Sequence, residues 1–130
     1  MRRELIENNP LLKLSIAFSL QVIEYCEKLN ADRKFILANQ LFKSATSIGA
    51  NAMEAQNPES KADFIHKIKI EAKEADETQY WLILCEHSQN YPCPQGLSEK
   101  LEELNKILGS IISTAKRKTP FSYILSFFIF

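Results

Sequence analysis

Chemistry in this chain would have to come from two histidines, three cysteines and sixteen carboxylates. Their spacing argues against most sites. A di-iron centre in a helical bundle needs a Glu-x-x-His pair on each of two helices and a further Glu on the other two. Neither His66 nor His87 has a Glu three residues before it, and Asp63-x-x-His66 is a lone near-match. On a helical wheel His66 points away from the apolar face, so a solvated histidine is the better reading. Cys85-x-His87 lacks two further ligands at zinc spacing. The sequence holds no Gly-rich phosphate loop and no G-x-S-x-G elbow, and nothing favours a Ser/His/Asp triad. The expectation is a protein that is not an enzyme, with no metal, no cofactor and no small-molecule substrate.

Sixteen basic and sixteen acidic residues cancel, with a pI near 6.7. No global field draws in nucleic acid or an acidic membrane, so such binding would have to be local. Cys26, Cys85 and Cys93 are odd in number and form no C-x-x-C pair, which suits structural, reduced thiols better than disulfides. The start, MRRELIENNP, has no apolar segment of a secretory signal. Together these predict a cytoplasmic protein. A length of 130 residues suits one domain that buries a core without staples.

Candidate residues need elements to position them, and the apolar residues recur at helical three- and four-residue steps almost throughout. Asn9-Pro10 and Asn57-Pro58 each read as an N-cap followed by proline at the first helical position. The first predicted helix spans Pro10 to Leu29, with Leu11, Leu12, Ile16, Phe18, Ser19, Val22, Ile23, Tyr25 and Cys26 on one wide side. The second runs from about Arg33, after a turn and cap at Asn30-Ala31-Asp32, to Gln56, with a stripe of Leu37, Leu41, Ala45, Ile48 and Ala52. The third runs from Pro58 to about Gln89, with Phe64, Ile65, Ile68, Ala72, Ala75, Leu82 and Ile83 inside and Gln79 interrupting. After the YPCPQG loop, Leu97, Leu101, Leu104, Leu108 and Ile111 give the fourth a coiled-coil-like seam. Short joints between amphipathic helices predict an all-α fold, an antiparallel up-down-up-down four-helix bundle. The bundle domain is placed at 1–118 and an apolar tail at 119–130.

QLFKSATSIGANAMEA, residues 40–55, is unusual in its small residues. Gly49 costs about 1 kcal/mol of helix propensity against alanine, so tertiary packing must offset it, and small side chains predict a close helix approach. Gln40, Ser44, Ser47, Asn51 and Glu54 form a polar stripe on this helix. Lys67, Glu71, Glu74, Thr78, Trp81 and Cys85 form one on the next. If the stripes meet, Lys43 is expected to pair with Glu71 or Glu74. A half-buried polar seam is the plainer reading; a subunit interface or ligand groove is the sharper one. Ile70, Trp81 and Leu84 lie outside the inner stripe and are the candidate subunit contacts. Lys69, Lys73, Lys116, Arg117 and Lys118 are the candidate nucleic-acid contacts, although scattered solvated lysines are the plainer reading.

Two blocks resemble a known family. QLFKSATSIGANAMEA is similar to the Gln-Leu, Arg-Ser, Ser-Ile, Asn and Glu pattern of the four-helix 23S rRNA intervening sequence proteins, and SKADFIHKIKIEAKEADETQYWLIL, residues 60–84, to their Asp-Phe-Ile, Lys-Glu-Ala and Tyr-Trp-Leu pattern. The resemblance covers roughly residues 8–115. It marks Gln40, Lys43, Ser44, Ser47, Asn51, Glu54, Glu74, Glu77 and Thr78 as a signature stripe, with Lys43 standing where arginine is common. It implies an antiparallel bundle, often a ring-like homopentamer, in bacteria whose rRNA genes carry inserts. It implies no settled activity. Two readings of function follow: a non-catalytic oligomer associating with RNA or a nucleoprotein complex, or a self-assembling interaction scaffold with no nucleic-acid role. The tail, TPFSYILSFFIF, holds too few apolar residues from Phe121 to span a bilayer as a helix; docking in a groove or disorder is expected.

Overall fold

A computed structural model describes residues 3–117, apart from the side chain of Leu5; Lys118 and the tail 119–130 lie outside the described residues. A short helix that the sequence reading missed, α1 (Arg3–Glu7), precedes four long ones: α2 (Pro10–Ala31), α3 (Phe35–Glu54), α4 (Lys61–His87) and α5 (Leu97–Lys116). No strand occurs among the described residues.

The caps explain the boundaries. Asn9 Oδ1 accepts from the amides of Leu11 and Leu12, and Pro10 follows at the first helical position, where a missing N–H costs nothing. At the other end of α2, Arg33 sits at φ 62°, the Lys34 amide donates to Leu29 O and the Arg33 amide to Asn30 O. That pair of bonds is the left-handed helix stop usually built on glycine. Arg33 therefore ends a turn rather than opening α3, which begins at Phe35. The expected cap Asn57-Pro58 is likewise displaced. Ser60 Oγ accepts from the Asp63 amide while the Asp63 carboxylate accepts from the Glu59 amide. This reciprocal arrangement starts α4 at Lys61, three residues later than expected.

Registers follow from a few contacts. Gly49 faces Ser15, and Cys26 Sγ donates to Ala38 O at 3.5 Å, so α2 and α3 run antiparallel. The Ser44–Thr78 and Glu54–Lys67 contacts do the same for α3 and α4. Asn9–Leu11 lie beside Lys106–Ile111, and Gln21–Lys28 beside Cys93–Leu97, so α5 runs antiparallel to α2. The result is the expected up-down-up-down bundle. Its core joins all four long helices through side chains such as Phe18, Leu41, Ile48, Phe64, Ile68, Leu104 and Leu108, each contributing about 1.5–3 kcal/mol on burial. All five leucine and isoleucine positions of the predicted α5 seam are buried.

Among the expected core positions Ile83 is exposed, and Ile16, Ser19, Ile23, Leu37, Ile65 and Ala72 are only half-buried. The inner stripes instead include Ala38 on α3 and Glu71 and Thr78 on α4.

Candidate functional site

The two polar stripes do meet, along the α3–α4 seam. The Ser44 and Thr78 hydroxyls are 2.9 Å apart in the interior, and Thr78 Oγ1 also lies 2.7 Å from Glu74 O. Asn51 Nδ2 donates to Ser47 O at 2.8 Å, and Ser47 Oγ to Lys43 O at 2.7 Å. Much of the signature stripe thus satisfies its own helix backbone, as serines and asparagines within helices often do. Gln40 and Glu77 are exposed, and Glu74 is half-buried with its carboxyl pushed upward, first by burial and then by Glu77, while Lys43 pulls it down.

The ion pair across the seam is not the expected one. Lys67 Nζ reaches Glu54 Oε2 at 3.0 Å, at one end of the stripe. Lys43 acts on Glu74 only through space and does not reach Glu71, whose two carboxyl oxygens are buried with no hydrogen-bond partner. The cause is geometric: Lys43 is exposed on the outer side of α3, whereas Glu71 faces the core on the α4 stripe that runs Phe64, Ile68, Glu71, Ala75, Thr78, Leu82. Burial alone raises its carboxyl to about 8. Sequence reasoning placed Glu71 on the polar stripe and missed this.

Gly49 has the role its surroundings predict. A methyl built on it would meet Ser15 Cβ and Ser19 Oγ at 3.6 Å, so the close approach is that of α2, through its own small residues. Above this contact the outer α2–α3 seam carries several apolar side chains, interspersed with Thr46 and Asn39. The wheel puts Phe35, Phe42 and Met53 on the α2 side of α3, and Ile16, Leu20 and Ile23 on the α3 side of α2. Leu20 is 58% exposed and Phe42 45%, and both helices' registers place them within about a turn of one another. This surface escaped the sequence reading because its residues sit on two segments, each with a wide apolar side.

Ile70, Trp81 and Leu84 are all half-buried. Trp81 packs against the core and meets the Tyr80 ring edge-on at 5.1 Å. Of the candidate nucleic-acid contacts, Lys69, Lys73, Lys116 and Arg117 are exposed. The Ser98–Glu86 bond at the α4–α5 hairpin sets Lys69 level with the end of α5, beside Lys116 and Arg117, and Lys73 a turn further in.

Cys26 and Cys85 are buried, and burial raises both thiols, Cys26 to about 11. Cys93 is exposed, so the structural reading does not extend to it. The Tyr25 phenol is also pushed up by burial and donates to Pro92 O at 2.6 Å. His66 and His87 are exposed, and no group of three metal-binding side chains forms among the described residues.

This arrangement of seam and helices coincides with a family match. The model of the 23S rRNA-intervening sequence protein family fits residues 7–111. The chain belongs to this family. A solved relative is the 1.70 Å crystal structure of a protein with unknown function from the S23 ribosomal protein family of Bacteroides thetaiotaomicron VPI-5482. It superposes with a TM-score of 0.74 at 36% identity, covering 78% of this chain and 97% of that one. A search of curated proteins finds none that matches. The intervening-sequence bundle therefore occupies nearly all of the described residues, and no helix among them is long and apolar enough to cross a membrane.

Proposed function

We propose that this intervening-sequence bundle is a non-catalytic, self-associating protein that works in the cytoplasm as a ring-like homo-oligomer, a pentamer by the family resemblance. The carrying observation is the outer α2–α3 face, where Leu20, Phe35, Phe42 and Met53 stand exposed although small residues have already brought the two helices together. Apolar side chains of this size clustered on one face are what a subunit contact removes from water. Ile70, Trp81 and Leu84 belong to the adjoining α3–α4 seam, where half-burial leaves part of each side chain for a neighbouring subunit. Light scattering tests this: the parent chain at micromolar concentration should exceed the monomer mass, and Phe42→Asp should reduce it with helicity unchanged. Trp81→Ala should shift it less, and Lys69→Ala not at all. A monomeric parent ends the reading.

RNA or a nucleoprotein is the proposed partner, supported by the family name and by the gathering of Lys69, Lys116 and Arg117 at one end of the bundle. Phosphate contacts make affinity fall steeply with salt, and removing one reduces the salt slope by about 1. Binding of structured RNA that weakens in this way in Lys69→Ala and Arg117→Ala supports the partner. Absent or salt-insensitive binding leaves a self-assembling scaffold with no nucleic-acid role.

A further inference from the structure

On the side of the bundle opposite the α3–α4 seam, α2 and α5 part at one end to leave an open groove of about 330 Å³. Pro10, Leu11, Ile107 and Ile111 form its apolar walls, with Lys106 and Ser110 among the residues lining it. Leu11 and Ile111 are already in the core, so the groove opens directly onto it, and Ile107 is left half-buried at the mouth. Neither the exposed α2–α3 face nor the polar seam includes these residues.

We propose that the groove is the docking site of the chain's own apolar tail, residues 119–130. Three observations favour this occupant. The tail leaves the bundle from the same helix that forms one wall: α5 ends at Lys116, and Ile107 to Ile111 lie in its last three turns. Going back from Lys116 to Ile107 covers roughly 13 Å of helix, a distance that about four extended residues span. Phe121 and everything after it can therefore reach the groove without strain on α5.

The chemistry also matches. From Phe121 onward the sequence is FSYILSFFIF, in which only Ser122 and Ser126 lack an apolar or aromatic body. A groove of this volume takes aromatic and branched side chains rather than another helix, since a helix with its side chains is about 10 Å across. Finally, the family match stops at residue 111, so the tail lies beyond the shared bundle and has no position assigned by it. An intramolecular occupant also has the advantage of tethering, which gives it millimolar effective concentration that a separate partner must match in solution.

Disulfide trapping in the full-length chain tests this docking. In a Cys93→Ser background, which leaves only the two buried thiols, Ser126→Cys is combined either with Ser110→Cys in the groove or with Gly109→Cys. Gly109 is exposed, one residue away, and a side chain there meets nothing, so both sites lie at the same tethering distance. Mild oxidation at sub-micromolar concentration, followed by intact mass under non-reducing conditions, should show the 110–126 bond forming within single chains on the order of tenfold faster than the 109–126 bond. Adding Ile107→Asp should bring the two rates together. Equal rates without that substitution overturn the proposal. Disulfides formed only between chains would overturn it in favour of a second copy's tail. Equal rates with co-sedimentation of the parent chain on vesicles containing phosphatidylserine would place the tail on a membrane surface instead.

Discussion

The Ser44 and Thr78 hydroxyls meet at 2.9 Å in the interior of the α3–α4 seam, and each also lies near a carbonyl of its own helix, Leu41 O at 3.3 Å and Glu74 O at 2.7 Å. Two hydroxyl protons serve two of these three contacts at a time: Thr78 donates to Ser44 Oγ while Ser44 donates to Leu41 O, or Thr78 donates to Glu74 O and Ser44 to Thr78 Oγ1. The pair then ties the register of α3 to that of α4 from inside the seam.

Removing either hydroxyl should leave the other under-satisfied. Ser44→Ala and Thr78→Val are each expected to cost about 1–2 kcal/mol, whereas the double variant should cost less than their sum, with a coupling of at least about 0.5 kcal/mol. Urea titrations of the four proteins complete the cycle. Additive effects would mean that the two hydroxyls do not depend on each other.

Glu71 gives a pH dependence with a definite sign. Its folded carboxyl titrates near 8 rather than 4.5, because burial disfavours the anion and no cation offsets it. Between those values the unfolded chain has released the proton and the folded chain still holds it. Stability should therefore fall with rising pH from about 4.5 to about 8, then level off as the folded carboxyl ionises. Glu71→Met fills similar space without a charge. It should flatten that descent and stabilise the protein at pH 7 by on the order of 3 kcal/mol. Denaturation at pH 5, 7 and 9 checks it, and parallel pH profiles for parent and variant would refute the buried, neutral carboxyl.

The backbone offers an independent set. At Gly49 a methyl would make ordinary contacts at 3.6 Å with Ser15 and Ser19, so Gly49→Ala should raise stability by about 0.5–1 kcal/mol, while Gly49→Leu should lower it by overpacking the α2–α3 contact. Gly96 caps α5 at φ 82°, and Gly96→Ala should cost about 1 kcal/mol. Arg33 holds the same kind of conformation with a side chain, so Arg33→Gly should be neutral or stabilising. Thermal melts separate these outcomes.

The number and direction of the four long helices were legible in the sequence because four- and three-residue steps of apolar residues specify little else. Boundaries were less so. Asn57-Pro58 looked like a cap, but the Ser60–Asp63 pair supplies two side-chain bonds to the backbone at the true start. At Glu71 two signals conflicted: its spacing from Ile68 and Ala75 placed it in the core, and its charge placed it outside. Spacing prevailed, and proton uptake resolves the conflict. Ser15 was hidden for a related reason, since its burial depends on Gly49 in another helix. The outer α2–α3 face, shared by two segments, could be recognised only once their register was fixed.

One helix holds both ends of the molecule. At one end Asn9 Nδ2 donates to Gln56 Oε1, tying the start of α2 to the α3–α4 connection; at the other, Tyr25 Oη grips Pro92 in the α4–α5 connection. Each connection would ordinarily be where a chain tolerates insertion or gives way first. Here α2 acts as a clasp across both. A pull that peels α2 away would release the two connections with it, so under mechanical load the bundle should open as a unit and not helix by helix.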